Sequence, residues 1–372
     1  MNKSVLNYRK PILFAIIGGV LGLASCKKDK LPVLNERPVS TAGVYVLCEG
    51  SFGLANNSTL TYYDVATGVA TQDYFKLKNA ISLGTDASDL KQYGSKMYCV
   101  VTGAKDTNQD SYVEVINIAT GKSVKRIPFF DDKNDFMPRY VAFYKNKAYV
   151  SSYDGYISKI DTATLTIESR IPVGGALEGL AIVNGKLYVT NSNHVWYPNP
   201  NNSSVSVVDL STFTKKLDIN VGLNPTKIAA TANGDLFTVV KGNYADVPAQ
   251  LVKLSSVTDK KVDGFDASLA AITVAQNSGY VIVEGVYPAP NLLKTLNITN
   301  GAIETDLVKD GTIVKDFYGI TINGLNNDVW VGDANGYAAT GKFFCFGADG
   351  KRKLEFATGG SPQSAVFNYN YK

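Results

Sequence analysis

Residues 184–199 read NGKLYVTNSNHVWYPN. The first half decides the fold. Asn184-Gly185 is a tight-turn pair, and the residues after it alternate around an aromatic, Tyr188. A turn followed by such a run is the signature of a β-hairpin. The same arrangement returns at Tyr45 (GVYVLCEG), Tyr98 (SKMYCVVTG), Tyr149 (NKAYVSSYDG), Phe237 (GDLFTVVKG), Tyr280 (SGYVIVEG) and Trp330 (NDVWVGDANG). Neighbouring copies lie 39 to 53 residues apart. Self-similarity at such a period marks a repeat architecture.

Two further signals accompany each copy. A second strand follows it and ends in a turn such as DVATG at 64–68, NIATG at 117–121 or NITNG at 297–301. Asp or Asn caps such a turn with its own side chain, and Gly accepts the positive φ that closes it. An apolar strand precedes the copy, as at 140–144, 180–183, 228–231 and 320–323. Each unit is therefore four antiparallel strands, one blade of a β-propeller. The first unit starts at its aromatic strand, and residues 362–368 form a lone leading strand at the other end. Pairing the two closes a ring of seven blades and removes two sheet edges. The expected fold is all-β, a seven-bladed propeller over 42–372 whose C-terminal strand closes the first blade. The seven aromatics are expected to fill the gaps between blades.

The first 25 residues read as a targeting segment. Lys3, Arg9 and Lys10 precede an apolar run from 11 to 24, too short for a stable transmembrane helix. The run ends in Leu23-Ala24-Ser25-Cys26, which looks like a bacterial lipobox. That reading predicts cleavage before Cys26 and lipid on its sulfur. The alternative is an ordinary secretory signal with a chance cysteine. Residues 26–41, charged and carrying two prolines, read as a flexible tether to a membrane. The formal net charge is +4, and the three cations of the leader reduce it to +1 without them. That balance argues against nucleic acid as a partner and leaves a local charged patch open. Cys48, Cys99 and Cys345 are odd in number, lack CxxC spacing and lie in apolar runs. They read as small buried hydrophobes.

Function points to the loops between second and third strands, which share one face with the blade-to-blade connections. These loops carry Phe52, Tyr153, Trp196, Tyr197, Tyr244, Tyr287 and Tyr337. The connection at 128–138 adds Phe129, Phe130 and Phe136. Aromatics gathered on one exposed mouth suit recognition, giving large contact area at small entropic cost. The competing reading folds each ring back onto its blade. Prolines 198, 200, 248, 288 and 290 stiffen three of the loops. His194 is the one histidine, which excludes a multi-histidine metal site and leaves no Ser-His-Asp arrangement to argue. It reads as an exposed loop histidine or as a ligand to the metal of a bound cofactor. Glu49 and Glu284 occupy equivalent positions near the mouth, to hold a cation or a ligand amide or to pair with Lys105 or Lys241. The candidate binding set is Phe52, Phe136, Tyr153, His194, Trp196, Tyr197, Lys241, Tyr244, Glu284, Tyr287 and Tyr337. No catalytic residue, resident metal or cofactor is expected.

The stretch VYVLCEGSFGLANNSTLTYYDVATG at 44–68 resembles the YncE-like propeller lipoproteins of Bacteroidetes, and the resemblance runs over about 42–372. It is strongest from Glu49 to Phe52 and at Tyr62-Tyr63-Asp64. Cys48 stands where that family more usually has Asn or Val. The group includes the surface vitamin B12-binding lipoproteins of the BtuG type. The resemblance implies a lipid-anchored outer-membrane protein at the cell surface. It would capture a corrinoid such as cobalamin and hand it to a TonB-dependent outer-membrane transporter. Siderophore, haem or a protein partner are the alternatives it leaves, with a metal-dependent propeller lactonase or lyase behind them.

Overall fold

The computed structural model describes residues 37–51, 53–198, 200–286 and 288–372. The leader, Cys26, Phe52 and Tyr287 lie outside the described residues. Seven four-stranded antiparallel sheets follow one another around a ring. We number them from the N-terminus, and name their strands inner, second, third and outer. Blade 1 holds Pro38–Cys48, Thr59–Asp64 and Val69–Thr71, with Pro362–Tyr371 as its inner strand. Blades 2 to 7 span residues 87–128, 138–172, 176–220, 225–266, 269–306 and 317–359. The first strand begins at Pro38, inside the stretch expected to be tether. Residues 38–41 pair with the end of the closing strand, Pro38 opposite Tyr371, so they belong to the sheet. One short helix, Tyr74–Asn79, interrupts the β structure. Among the described residues no helix is long and apolar enough to cross a membrane.

All seven repeated aromatics are buried on second strands. Each sits in the cluster between its own blade and the next. Tyr45 packs with Leu90 and Cys99 of blade 2, and Tyr98 with Val141 and Val150 of blade 3. Trp330 of blade 7 meets Val44 and Val46 of blade 1. Alternation explains the pattern: Tyr45 and Leu47 face blade 2, while Val44, Val46 and Cys48 face blade 7. With both faces covered, second strands such as KMYCVV read as unbroken apolar runs. Outer strands such as TKKLDIN are mostly exposed, and their lysines keep the rim from pairing with other chains. Cys48, Cys99 and Cys345 are free and buried.

The turns between third and outer strands behave as the sequence implies. The Asp64 carboxylate accepts the Thr67 amide and Asn117 accepts the Ala119 and Thr120 amides, with Gly68 and Gly121 at φ 70° and 69°. Blades 3 and 4 keep this geometry without glycine. Leu165 and Phe213 take φ 56° and 53°. The left-handed backbone costs a residue with Cβ about 1–2 kcal/mol. Both side chains are buried between blades, which offsets that cost.

Candidate functional site

Seven inner strands surround the central channel, each touching its two neighbours. Every one carries an extra residue against its partner at the same end. On blade 2 Ala87 and Asp89 oppose the adjacent Val101 and Val100, which leaves Ser88 over. The corresponding places are Arg139, Glu178-Gly179, Thr226, Ala270, Tyr318-Gly319 and Gln363. A bulge breaks the two-residue alternation and re-aims a side chain. The seven bulges lie at the mouth that the loops between second and third strands also border.

The bulged residues link blade to blade. Ser88 donates to the Arg139 carbonyl at 2.8 Å. The Arg139 guanidinium lies 3.2 Å from Glu178 and 3.7 Å from Asp86. Tyr153 donates to the other Glu178 oxygen at 2.8 Å, and Arg139 sits 4.9 Å from the Tyr153 ring centre. The carboxylates around Arg139 hold it firmly charged against its burial. On the opposite side Tyr318 donates to Glu49, which also meets Asp86. Burial and the facing Asp86 carboxylate push Glu49 up to about 7. Arg139, Glu178, Asp86 and Tyr318 were not legible as site residues. Arg139, Glu178 and Tyr318 lie on strands that read as half-buried alternating runs, and the bulges that turn them inward leave no composition signal; Asp86 precedes its strand, in a connection whose course the sequence does not show.

The predicted site residues fall into two groups. On blades 3 and 4, His194 stacks on Tyr153 at 4.1 Å between ring centres, and Trp196 meets His194 edge-on at 5.1 Å. His194 and Tyr197 form an isolated bridge, and the Tyr197 hydroxyl reaches the Asp135 carbonyl at 2.7 Å. The long loop is thereby tied down with Trp196 41% exposed. Burial and nearby Arg139 lower the His194 pKa and so favour its neutral ring. On blades 5 to 7, Lys241 pairs with Glu284 at 2.6 Å, and Ser268 donates to the other Glu284 oxygen. The Glu284 charge acts on both Tyr244 and Tyr337, which are 79% and 63% exposed. Tyr337 stands edge-on to Tyr318 at 6.1 Å.

Some rings expected at the mouth face elsewhere. Tyr153 is only 8% exposed and supports the loop from below. Phe136 is partly buried, with the Arg170 guanidinium 3.6 Å from its ring centre and Phe129 beside it. Phe129 is a core residue between blades 2 and 3. Phe130 lines a side cleft of about 430 Å³ with Tyr112 and Arg126. Their connection bends over the blade edge and buries its rings there. The pairing of Glu284 with Lys241 agrees with one expectation, while Glu49 finds Tyr318 instead of Lys105. Among the described residues no group of three or more metal-ligating side chains gathers.

Neither a protein-family model nor a curated protein matches the sequence. Solved structures do. A quinonprotein alcohol dehydrogenase-like protein from Bacteroides thetaiotaomicron is 13% identical over 88% of this chain and 78% of its own, with a TM-score of 0.64. A candidate 6-phosphogluconolactonase from Bacteroides uniformis is 11% identical over 88% of this chain and 100% of its own, at 0.59. Hydrazine synthase of Kuenenia stuttgartiensis is 13% identical over 68% and 74%, at 0.54. At these identities the likeness is one of fold alone.

Proposed function

We propose that this chain is a surface lipoprotein that binds a large corrinoid, vitamin B12-like ligand at its mouth and passes it to a TonB-dependent outer-membrane transporter. The observation that carries a binding role is the pairing of exposed rings with a fixed polar floor. Trp196, Tyr244 and Tyr337 stand on three different blades around the bulge ring. Flat rings on opposite sides suit the faces and edges of a macrocycle, and the hydroxyls and the Lys241–Glu284 pair suit amides on its periphery. A non-enzymatic reading is favoured by the engagement of the mouth's ionic groups. Arg139, Glu178, Lys241 and Glu284 hold one another, and His194 is stacked. The corrinoid itself rests on the family resemblance at 44–68.

Calorimetry with cyanocobalamin and dicyanocobinamide tests the reading. Saturable heat is expected at micromolar protein, and Trp196→Ala should weaken it about tenfold while leaving the melting temperature unchanged. No heat from either compound would reject the corrinoid. A protein partner is the second reading, favoured by Val195 and Val286, which are 80% and 87% exposed beside the aromatic loops. Pull-down from membranes that cyanocobalamin does not compete would favour it.

A further inference from the structure

One cation of the channel differs from the others. Lys227 follows the bulge on the inner strand of blade 5, and Tyr140 follows the bulge on that of blade 3. The two blades are not neighbours, since blade 4 stands between them. Lys227 nevertheless donates to the Tyr140 hydroxyl, with its ammonium 4.5 Å from the ring centre. The side chain therefore crosses the face of blade 4 inside the channel. Gly179 lets the inner strand of blade 5 come close to that of blade 4 at this point. A Cβ there would meet the Thr226 carbonyl at 2.7 Å and the Lys227 Cα at 3.1 Å.

Three other cations near the mouth have carboxylate partners: Arg139 has Glu178 and Asp86, Lys241 has Glu284, and Arg170 has Asp154. Lys227 has none within 4.0 Å among the described residues; its one hydrogen-bond partner is a phenol. Burial of this ammonium is costly; Tyr140 and, from beyond 4 Å, the Glu178 carboxylate offset that cost and keep it charged, and of its three donors Tyr140 takes one. Arg139 adds a second positive charge close by and shares Glu178 with the channel wall. Beside Lys227, the Thr226 hydroxyl is buried without a partner.

We propose that Lys227 and Tyr140 form an oxyanion subsite inside the channel that takes a carboxylate or phosphate group. The ammonium supplies charge and the phenol, donating in turn, supplies a second hydrogen bond. The subsite stands whether the mouth above it takes a corrinoid or another ligand, and it sets a preference for ligands that carry one anionic arm.

Inorganic phosphate is the probe, titrated calorimetrically into the full chain at fixed ionic strength without any corrinoid. Saturable binding is expected, with acetate competing. Lys227→Met should lose it by at least about tenfold and Lys227→Arg should keep most of it. Tyr140→Phe, which retains the ring, should weaken it several-fold and guards against misfolding of the lysine variant. Phosphate that competes with a mouth ligand marks the subsite as the seat of that ligand's anionic arm; phosphate that binds alongside marks it as a free-ion site. Absence of saturable binding in the wild type, or wild-type affinity in both Lys227→Met and Tyr140→Phe, would overturn the assignment.

Discussion

Glu49 follows the second strand of blade 1 and meets Asp86 at the start of blade 2, and one proton between them relieves their repulsion. Its ordinary value of 4.5 is pushed up to about 7 by burial first and by Asp86 second, so the folded chain holds the proton more tightly than the unfolded one. The stabilisation this gives is complete below about pH 4.5 and is lost as pH rises through about 7. Glu49→Gln copies the protonated form and still accepts from Tyr318. It should match wild type near pH 4 and exceed it by about 1–2 kcal/mol at pH 8.5, the figure being discounted for the water that reaches the mouth. Urea unfolding at the two pH values checks this, and a gain that is the same at both would place the cause elsewhere. At this scale the sequence is uneven. Tyr188 and its six counterparts were legible as core because they recur in register. Tyr153 and Phe136 were not legible as buried, because nothing in a loop's composition tells whether a ring turns out or lies against a neighbouring arginine.

The bulges are the feature of the elements that matters most, and they were invisible beforehand. A strand of period two predicts which face each side chain takes, and one inserted residue reverses that prediction from there on. Arg139, Glu178, Tyr318 and Lys227 all lie at or just past such insertions. The Asx turns show the complementary case. Gly68 and Gly121 announced them, whereas Leu165 and Phe213 adopt the same backbone because burial outweighs strain. Glycine is required at the bulge of blade 7. A Cβ on Gly319 would lie 1.8 Å from the Gln363 carbonyl oxygen, so the inner strands of blades 7 and 1 approach too closely there for any side chain. Gly319→Ala must part these strands and draw Tyr318 from Glu49. A loss of about 2–4 kcal/mol is expected in denaturant unfolding. Gly311→Ala meets no atom within 4 Å and bears only the strain of its φ of 78°, so it should cost about 1–2 kcal/mol. Equal losses in the two variants would show that the strands yield freely.

The whole ring depends on its last strand. Pro362–Tyr371 pairs with Pro38–Cys48 in blade 1 and lies against the inner strands of blades 7 and 2. It supplies Ala365, Val366 and Phe367 to two inter-blade clusters, and the backbone before it carries the Ser361 and Gly360 carbonyls that receive the Glu49 and Gly50 amides. Burial of Val366 and Phe367 alone is worth about 1.5–3 kcal/mol each. Closure was legible because an unmatched strand at each end of a repeat array has one obvious partner. Depth of coupling was not, since no local pattern shows that this strand also holds the mouth. Removing residues 362–372 would expose an edge of Val44, Val46 and Leu47 on one side and strand the channel-facing groups of two blades on the other. The shortened chain should therefore fail as a unit instead of losing one blade. Size-exclusion chromatography should find it aggregated, and adding the 362–372 peptide during refolding should recover monomer by strand pairing. A shortened chain that stays monomeric and melts cooperatively near the wild-type temperature would mean that the ring closes without the inner strand of blade 1.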